Sequence, residues 1–423
     1  MWNNIKAYYD KEGFDYSNGF GKPTDFHTTF YFILRCFQVI DEPYPKYSYF
    51  TKTYTMVCGI GVFTDAYLSL YHGIAMMDVF LITEAGTYAI LLSYKAMIMA
   101  STWINKKNFF HLLHAMREDF QYINTKDIRY KKLFFEIHQN TWRASLWCCF
   151  FMFALCTGLV GFACISLIWY YATHTPGDGR VRELVFPFWA PGIDYTATPA
   201  FELAFVFANL GVAAYSFHYL FILQTDIVWI RQIASKAEMI ILNIKDLLEG
   251  IKPAETKEEE ERYSAMIKFR MREIISQSQS MYLLIDHYAA VYKKMLMFEQ
   301  FFASPTICML AYCAAEKLDQ GEIQAIMMLL CVGASITLYI PCYLCTFLRS
   351  KISAVSDACW EIPFWNGPGR TIRPYLILIM QRCLRPLPFQ APGFQEVSIK
   401  TFSSKMTSAY SLFNMLRQSD FEF

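Results

Sequence analysis

Three runs in this 423-residue chain hold no Asp, Glu, Lys or Arg: Ala144 to Thr173, Leu203 to Gln224 and Ile323 to Leu348. Each reaches the roughly 20 apolar residues that an α-helix needs to cross a bilayer. A helix satisfies its own backbone hydrogen bonds, so it can sit where water cannot. The rest of the chain is consistent with that solvent. With 55% hydrophobic residues, 17% aromatic residues and a mean hydropathy of +0.22, it carries more apolar side chain than a water-soluble fold usually hides. A net charge of +1 gives no reason to expect nucleic acid as a partner. The thirteen cysteines are an odd number and mostly lie inside apolar runs, so they read as small buried hydrophobes. Cys342 and Cys345 form a C-x-x-C, but Tyr339, Ile340, Tyr343 and Leu344 around them fit a membrane helix better than a redox loop. Met1 to Lys22 is polar and lacks the apolar core of a signal peptide, so insertion is expected to use internal spans.

Four further stretches complete a set of seven spans in an all-α membrane protein. The first, Tyr47 to Tyr71, carries Lys52 and Asp65; the second, Asp78 to Ala100, carries Glu84 and Lys95. Lys95 is expected to reach towards a head group, and Glu84 to need a polar partner. Met295 to Ala315 has Glu299 near its start, and a last stretch begins at Phe394. Most of the 38 basic residues fall in four segments: the N-terminal one, Ser101 to Arg143, Thr225 to Lys294, and Arg349 to Pro392. The loops on the other side hold only Arg180, Arg182 and Lys317. That bias predicts a cytoplasmic N-terminus and, with seven spans, an extracellular C-terminus. A G-protein-coupled receptor has the opposite orientation, and its acidic-Arg-Tyr and Asn-Pro-x-x-Tyr motifs are missing. The expected organisation is a cytoplasmic segment 1–46, spans one to four over 47–224, cytoplasmic helices 225–294, spans five and six over 295–348, a cytoplasmic helix region 349–392, and a seventh span 393–423.

The cytoplasmic segments are themselves patterned. Ile230, Ile233, Ala237, Ile240, Ile244 and Leu248 hold a helical stripe past the fourth span, and Glu258 to Gln300 reads as one helix running into the fifth. A break is expected at Gly250 to Lys257. Thr371 to Arg385 forms a further helix, with Pro374 in its first turn and Pro386 and Pro388 stopping it. Apolar faces that extend past the bilayer point to an intracellular anchor where subunits meet.

The last stretch, Phe394 to Gln418, has two unlike faces. Glu396, Lys400, Ser404, Ser408, Ser411 and Met415 recur at steps of three and four, polar until the last member. Ile399, Phe402, Met406, Ala409, Phe413 and Leu416 form an apolar stripe on the other side. One face wants water and the other wants protein or lipid, as in a helix lining a channel.

Ser356-Asp357-Ala358-Cys359-Trp360, Trp365-Asn366-Gly367, Arg382-Cys383-Leu384-Arg385-Pro386-Leu387, Ala391-Pro392-Gly393-Phe394, Ser398 with Phe402, and Ala409-Tyr410-Ser411-Leu412-Phe413 together resemble the carboxy-terminal signature of insect odorant receptors. The resemblance implies an odorant-gated, non-selective cation channel in the plasma membrane of olfactory neuron dendrites. It further implies a tetramer, usually formed with a shared co-receptor subunit, and no cofactor. The second half of the seventh helix would line the pore with Ser408 and Ser411, and the family's apolar gate would fall at Met415, where a ring can close by dewetting. Lys400 and Lys405 depart from a cation pathway, although Glu396 one turn before Lys400 could neutralise it. Poor conduction without the co-receptor is the consequence.

The resemblance places the odorant among spans two, three, four and six, in a pocket expected to be aromatic with a few hydrogen-bonding groups. Candidates are Thr87 and Tyr88 on span two, Phe162, Ile165 and Trp169 on span three, and Phe205 and Asn209 on span four. Trp169, Tyr88 and Asn209 can each offer a hydrogen bond. The loop Thr173 to Pro199 is a candidate lid. A gustatory receptor subunit is the alternative within the same architecture, though Ser411-Leu412 stands where its Thr-Tyr would be. From another class, His114 and Asp119 satisfy the H-x-x-x-x-D of membrane acyltransferases, but no further block of that family follows and no metal-ligand set surrounds His111 and His114.

Overall fold

The computed structural model describes residues 2–40, 43–173, 182, 184–251, 256–321, 324–362, 369–388 and 396–419. Among them the chain is built from α-helices, with one isolated bridge between Ala190 and Ile193. Four short helices or turns lead in: α1 (Trp2–Asp10), a 3-10 turn at Tyr16–Asn18, α2 (Pro23–Phe26) and α3 (Thr28–Cys36). Long helices follow: α4 (Lys46–Met76), α5 (Val79–Ile104), α6 (Lys106–Asn124), α7 (Ile128–Thr173), α8 (Ala200–Lys245), α9 (Lys257–Asp319) and α10 (Ala325–Trp360). The chain closes with α11 (Gly369–Cys383) and α12 (Ile399–Ser419).

Local chemistry sets the joints. At the α4–α5 turn Met77 takes a left-handed conformation with φ 55°, and the Asp78 side chain accepts from the Leu81 N–H at 3.0 Å, capping α5. Asp78, expected as the first residue of a span, is therefore the cap that precedes it. Thr256 caps α9 in the same way through the Glu259 N–H, and Glu258, Glu259 and Glu260 place negative charge at its positive end. With 63 residues, α9 is about 95 Å long, about three times the thickness of a hydrocarbon core. By length and composition, α7, α8 and α10 can each cross a membrane; α7 and α8 contain the first two charge-free runs, and α10 contains the third from Ala325 onward, Ile323 lying outside the described residues.

The helices pack around three apolar clusters. The largest gathers Trp229, Tyr288, Tyr292, Phe109 and Trp142 where α7, α8, α9 and α10 run on beside α3, α6 and α11. Phe30 of α3 meets Trp229 edge-on at 5.3 Å, so the N-terminal segment is part of this core. A second cluster surrounds Tyr88, Leu159, Val212 and Leu310, and a third joins Ala303, Ile307 and Leu338 to Ala409 of α12.

Three expectations need correcting. Lys95 does not reach a head group: it is 7% exposed, with Nζ 4.1 Å from the ring centre of Tyr215 and against Gly59, because α4 and α8 close over it. Pro374 sits in the second turn of α11, since that helix starts at Gly369 and not at Thr371. Glu396 is not on the polar stripe of the last helix. Ser398 caps α12 by accepting from the Thr401 N–H at 3.3 Å, so Glu396 lies ahead of the helix and not one helical turn from Lys400. Phe394, Trp365 to Gly367 and Ala391 to Gly393 lie outside the described residues.

Candidate ligand-binding site

Between α5, α7, α8 and α10 lies a cavity of about 90 Å³. Tyr88, Leu91 and Leu92 come from α5, Met152, Leu155 and Leu159 from α7, Val212, Tyr215, Ser216 and Tyr219 from α8, and Leu330, Gly333, Ala334 and Thr337 from α10. Val185 and Phe186, from the segment before α8, close it. Each helix contributes residues spaced three or four apart, the face that turns inward. Gly333 lets α7 come close: a Cβ there would stand 3.0 Å from Leu155 Cδ2.

The lining is apolar with a few hydroxyls. Tyr88 donates to the Val185 carbonyl at 2.8 Å, and its ring meets Phe186 edge-on at 4.8 Å. Thr337 donates back to the Ala334 carbonyl at 2.9 Å. Among the described residues, the buried hydroxyl of Tyr219 has no hydrogen-bond partner. A second cavity of about 50 Å³ adjoins the first and shares Leu91, Tyr219, Ala334 and Thr337 with it. There Glu299 of α9 accepts the Tyr94 hydroxyl at 3.2 Å. Such a site can enclose a small apolar molecule and offer it a few hydrogen bonds.

Of the residues singled out from sequence, Tyr88 lines the cavity. Thr87 is buried beside it but turns away, donating to the Thr83 carbonyl at 2.8 Å. Phe162, Ile165 and Trp169 lie further along α7 on its exposed side, Trp169 being 66% exposed. Phe205, two turns ahead of Val212, stacks on Phe201, and Asn209, one turn ahead of it, donates to the Phe205 carbonyl at 2.8 Å. The cavity face of α7 was missed because its whole run is apolar, so Met152, Leu155 and Leu159 look no different from their neighbours. Pro176 to Gly179 of the candidate lid fall outside the described residues; the later part is tied to α4 through Ser69, which donates to the Pro187 carbonyl at 2.7 Å.

The two stripes of α12 face different surroundings. Ala409 is buried, and Phe402, Met406, Phe413 and Leu416 pack against the bundle. Lys400, Ser404, Ser408, Ser411 and Met415 lie on an open face, Met415 at 60% exposed. Ser408 and Ser411 donate to the carbonyls of Ser404 and Thr407. The helix is fastened at both ends: the Ile399 N–H donates to Thr346 Oγ1 at 3.0 Å, and Arg417 pairs with Asp319 of α9.

The His114–Asp119 pair is split by the fold. His114 meets Glu118 at 3.1 Å on an exposed face, whereas Asp119 is buried against Lys236 at 2.5 Å. Burial pushes the Asp119 carboxyl up from its usual range, with Lys236 opposing. His111 stacks on His287 with ring centres 4.7 Å apart.

The model of the 7tm Odorant receptor family matches residues 76–410. The chain belongs to the odorant receptor family. That is a family of receptors, not of enzymes. This odorant receptor also has the fold of the insect olfactory receptor OR5 from Machilis hrabei, with a TM-score of 0.67 at 15% identity over 93% of this chain and 100% of the other. The structure of the same receptor in complex with eugenol matches with a TM-score of 0.71 at 13% identity, covering 93% and 98%. No curated protein matches the receptor's sequence.

Proposed function

We propose that this odorant receptor is the ligand-tuning subunit of an odorant-gated, non-selective cation channel, assembled with a co-receptor as a heterotetramer in the plasma membrane. In this reading α4, α5, α7, α8, α9, α10 and α12 are the seven spans, with the N-terminus cytoplasmic. The observation that carries it is the apolar cavity among α5, α7, α8 and α10, the same four spans expected to hold the odorant. The ligand is a small, volatile, largely apolar molecule; the eugenol complex of the Machilis hrabei receptor is an example of such chemistry in a protein of the same fold. The open face of α12, with Ser408 and Ser411, lines the pore, and Met415 is the gate. Ligand binding shifts the population towards an open arrangement only to the extent that the open cavity holds the odorant better. Lys400 and Lys405 on α12 repel cations, so the co-receptor supplies most of the conducting surface.

Whole-cell current under a volatile-odorant panel tests this, with the chain expressed alone and then with an insect odorant co-receptor. Current is expected only in the co-expressed cells, with raised basal leak in Met415→Ala. Robust current from the chain alone would refute the dependence on the co-receptor. Silence in both conditions, with surface expression confirmed, would remove the channel reading.

A further inference from the structure

We infer that the second cavity, built around Glu299, is an amine site: it takes the basic nitrogen of a small alkyl- or arylalkylamine whose tail lies in the first cavity. The inference rests on the odorant-receptor reading and deepens it by naming a ligand class. The two cavities, of about 90 Å³ and 50 Å³, share Leu91, Tyr219, Ala334 and Thr337 as a common boundary. A water molecule needs about 10–15 Å³ of such space, so the second cavity has room for a head group of a few heavy atoms. Its lining differs from that of the first. Glu299 brings a carboxyl, and Tyr94, Tyr219, Phe298 and Phe302 bring a run of aromatic rings. Tyr94 stacks on Phe298 with ring centres 5.9 Å apart, Phe298 meets Phe302 at 4.4 Å, and Tyr94 lies 6.1 Å from Tyr219.

What Glu299 lacks is a cation. Among the described residues no Lys, Arg or His pairs with it, and the ionisable group whose charge acts on it is a second buried acid, Asp226. One of its oxygens accepts from the Tyr94 hydroxyl at 3.2 Å, which leaves the other for a ligand. The neighbouring hydroxyls add acceptors. Thr306 donates to the Phe302 carbonyl at 2.8 Å and Thr337 to the Ala334 carbonyl at 2.9 Å, so each has only its oxygen left to offer. The buried Tyr219 hydroxyl has no partner among the described residues. A primary ammonium group, with three N–H donors and a positive charge, suits an acid, acceptor oxygens and ring faces together.

An amine that enters as the free base takes the proton of a neutral carboxyl: the O–H bond breaks, its electrons stay on oxygen, and the nitrogen lone pair forms the new N–H bond. An ammonium ion that meets an ionised carboxylate gives the same pair. Either route ends in a pair with no net charge. Alcohols, ethers, esters and ketones can hydrogen-bond to Glu299 or Tyr219 whichever form the carboxyl takes, but they are too weakly basic to accept its proton. They gain neither the charge-assisted bond nor the attraction between a cation and the rings. The position also bears on gating. Ala303, Ile307 and Leu338 wall the second cavity and pack with Ala409 of α12, so a head group seated there presses on the walls that hold that helix.

The test is dose–response, in buffered medium, of cells expressing the receptor with the co-receptor, paired with thermal unfolding of the detergent-solubilised receptor under the same compounds. The compounds are hexylamine with hexanol and hexyl methyl ether, and phenethylamine with phenethyl alcohol and its methyl ether. In the wild type each amine is expected to be about tenfold or more the most potent of its set. Glu299→Gln keeps the size and hydrogen-bonding capacity of the side chain but cannot exchange a proton. It should bring each set within about threefold while the ethers' potency stays unchanged. Phe298→Leu should weaken the amines alone, by about threefold or more. Amines no more potent than their alcohols in the wild type overturn the site. So does a Glu299→Gln variant that shifts every member of a set alike, the mark of a structural role. Silence to every compound with surface labelling intact would remove the channel reading, and the unfolding temperature would then decide the site by itself: a rise with hexylamine that Glu299→Gln abolishes supports it, and no such rise overturns it.

Discussion

The hydroxyl of Tyr88 donates to the carbonyl of Val185 at 2.8 Å, joining α5 to the segment that closes the cavity ahead of α8. Both groups are buried, so removing the donor leaves a carbonyl without its partner. Tyr88→Phe keeps the ring and its edge contact with Phe186. A net hydrogen bond of about 0.5–1.5 kcal/mol corresponds to a loss of about two- to tenfold in odorant potency, with surface expression kept. Dose–response beside the wild type measures it, and an unchanged curve would mean that this closure does not contribute to binding.

Gly333 sets how closely α7 and α10 approach across the cavity. A Cβ at this position stands 3.0 Å from Leu155 Cδ2, and the two further methyls of Val must enter the cavity or push Leu155 into it. Gly333→Val should therefore cost bulky odorants about tenfold or more in potency and short ones much less, a size-dependent loss. An equal loss across a homologous series would argue against the cavity as the binding space.

The ion pair between Lys236 and Asp119 is buried at 2.5 Å, with Ser280 accepting from Lys236 at 3.0 Å and Gln232 donating to Asp119. Breaking such a pair leaves one charge without its partner, at a cost of about 3–5 kcal/mol. Lys236→Met alone should lower the unfolding temperature strongly, and adding Asp119→Leu should recover much of it because neither charge then remains buried. Thermal unfolding of the detergent-solubilised receptor distinguishes this from simple loss of packing, which would make the double variant the worse of the two.

His27 Nε2 and His138 Nδ1 share a hydrogen bond at 3.0 Å, and both rings are buried. Burial, with Lys11 nearby opposing a second positive charge, holds His27 well below the usual histidine range, and burial lowers His138 to about 3. Both are therefore neutral in the fold and take up protons when the chain unfolds below its ordinary pKa of about 6.5. Stability from this pair is fully present above about pH 6.5 and is lost as pH falls towards 3, by up to about 1.4 kcal/mol per pH unit for each ring. The unfolding temperature should fall between pH 7 and pH 5 in the wild type. A His27→Phe, His138→Phe variant should lose less over the same interval, and equal slopes would show that other groups govern the acid response.

How much of this was legible before folding differs from element to element. The charge-free runs fall in α7, α8 and, from Ala325 onward, α10, and the apolar stripe past Gln224 belongs to the unbroken helix α8 as far as Ile244, with Leu248 in the turn beyond its end, because a long period of 3.6 records a boundary between unlike surroundings. The same is true of α12, where serines alternate with Phe402, Met406 and Phe413. The N-terminal segment was harder. Phe20, Phe26 and Phe30 are buried by contacts with Phe120, Phe134 and Trp229, about one to two hundred positions away, and nothing local announces them.

The sequence by itself determined that this chain holds helices long and apolar enough to cross a membrane, that helical patterning runs on past those apolar stretches and that its last helix has two unlike faces. Only the tertiary structure decided which side of each apolar helix turns inward. Trp169 and Leu155 lie on one featureless run, yet Trp169 is exposed and Leu155 lines the cavity. Lys95, Tyr219 and Glu299 likewise acquire their meaning from neighbours on other helices. The physical reason is that periodicity reports a contrast between two solvents. Where lipid and protein interior are both apolar that contrast vanishes, and packing alone chooses the face.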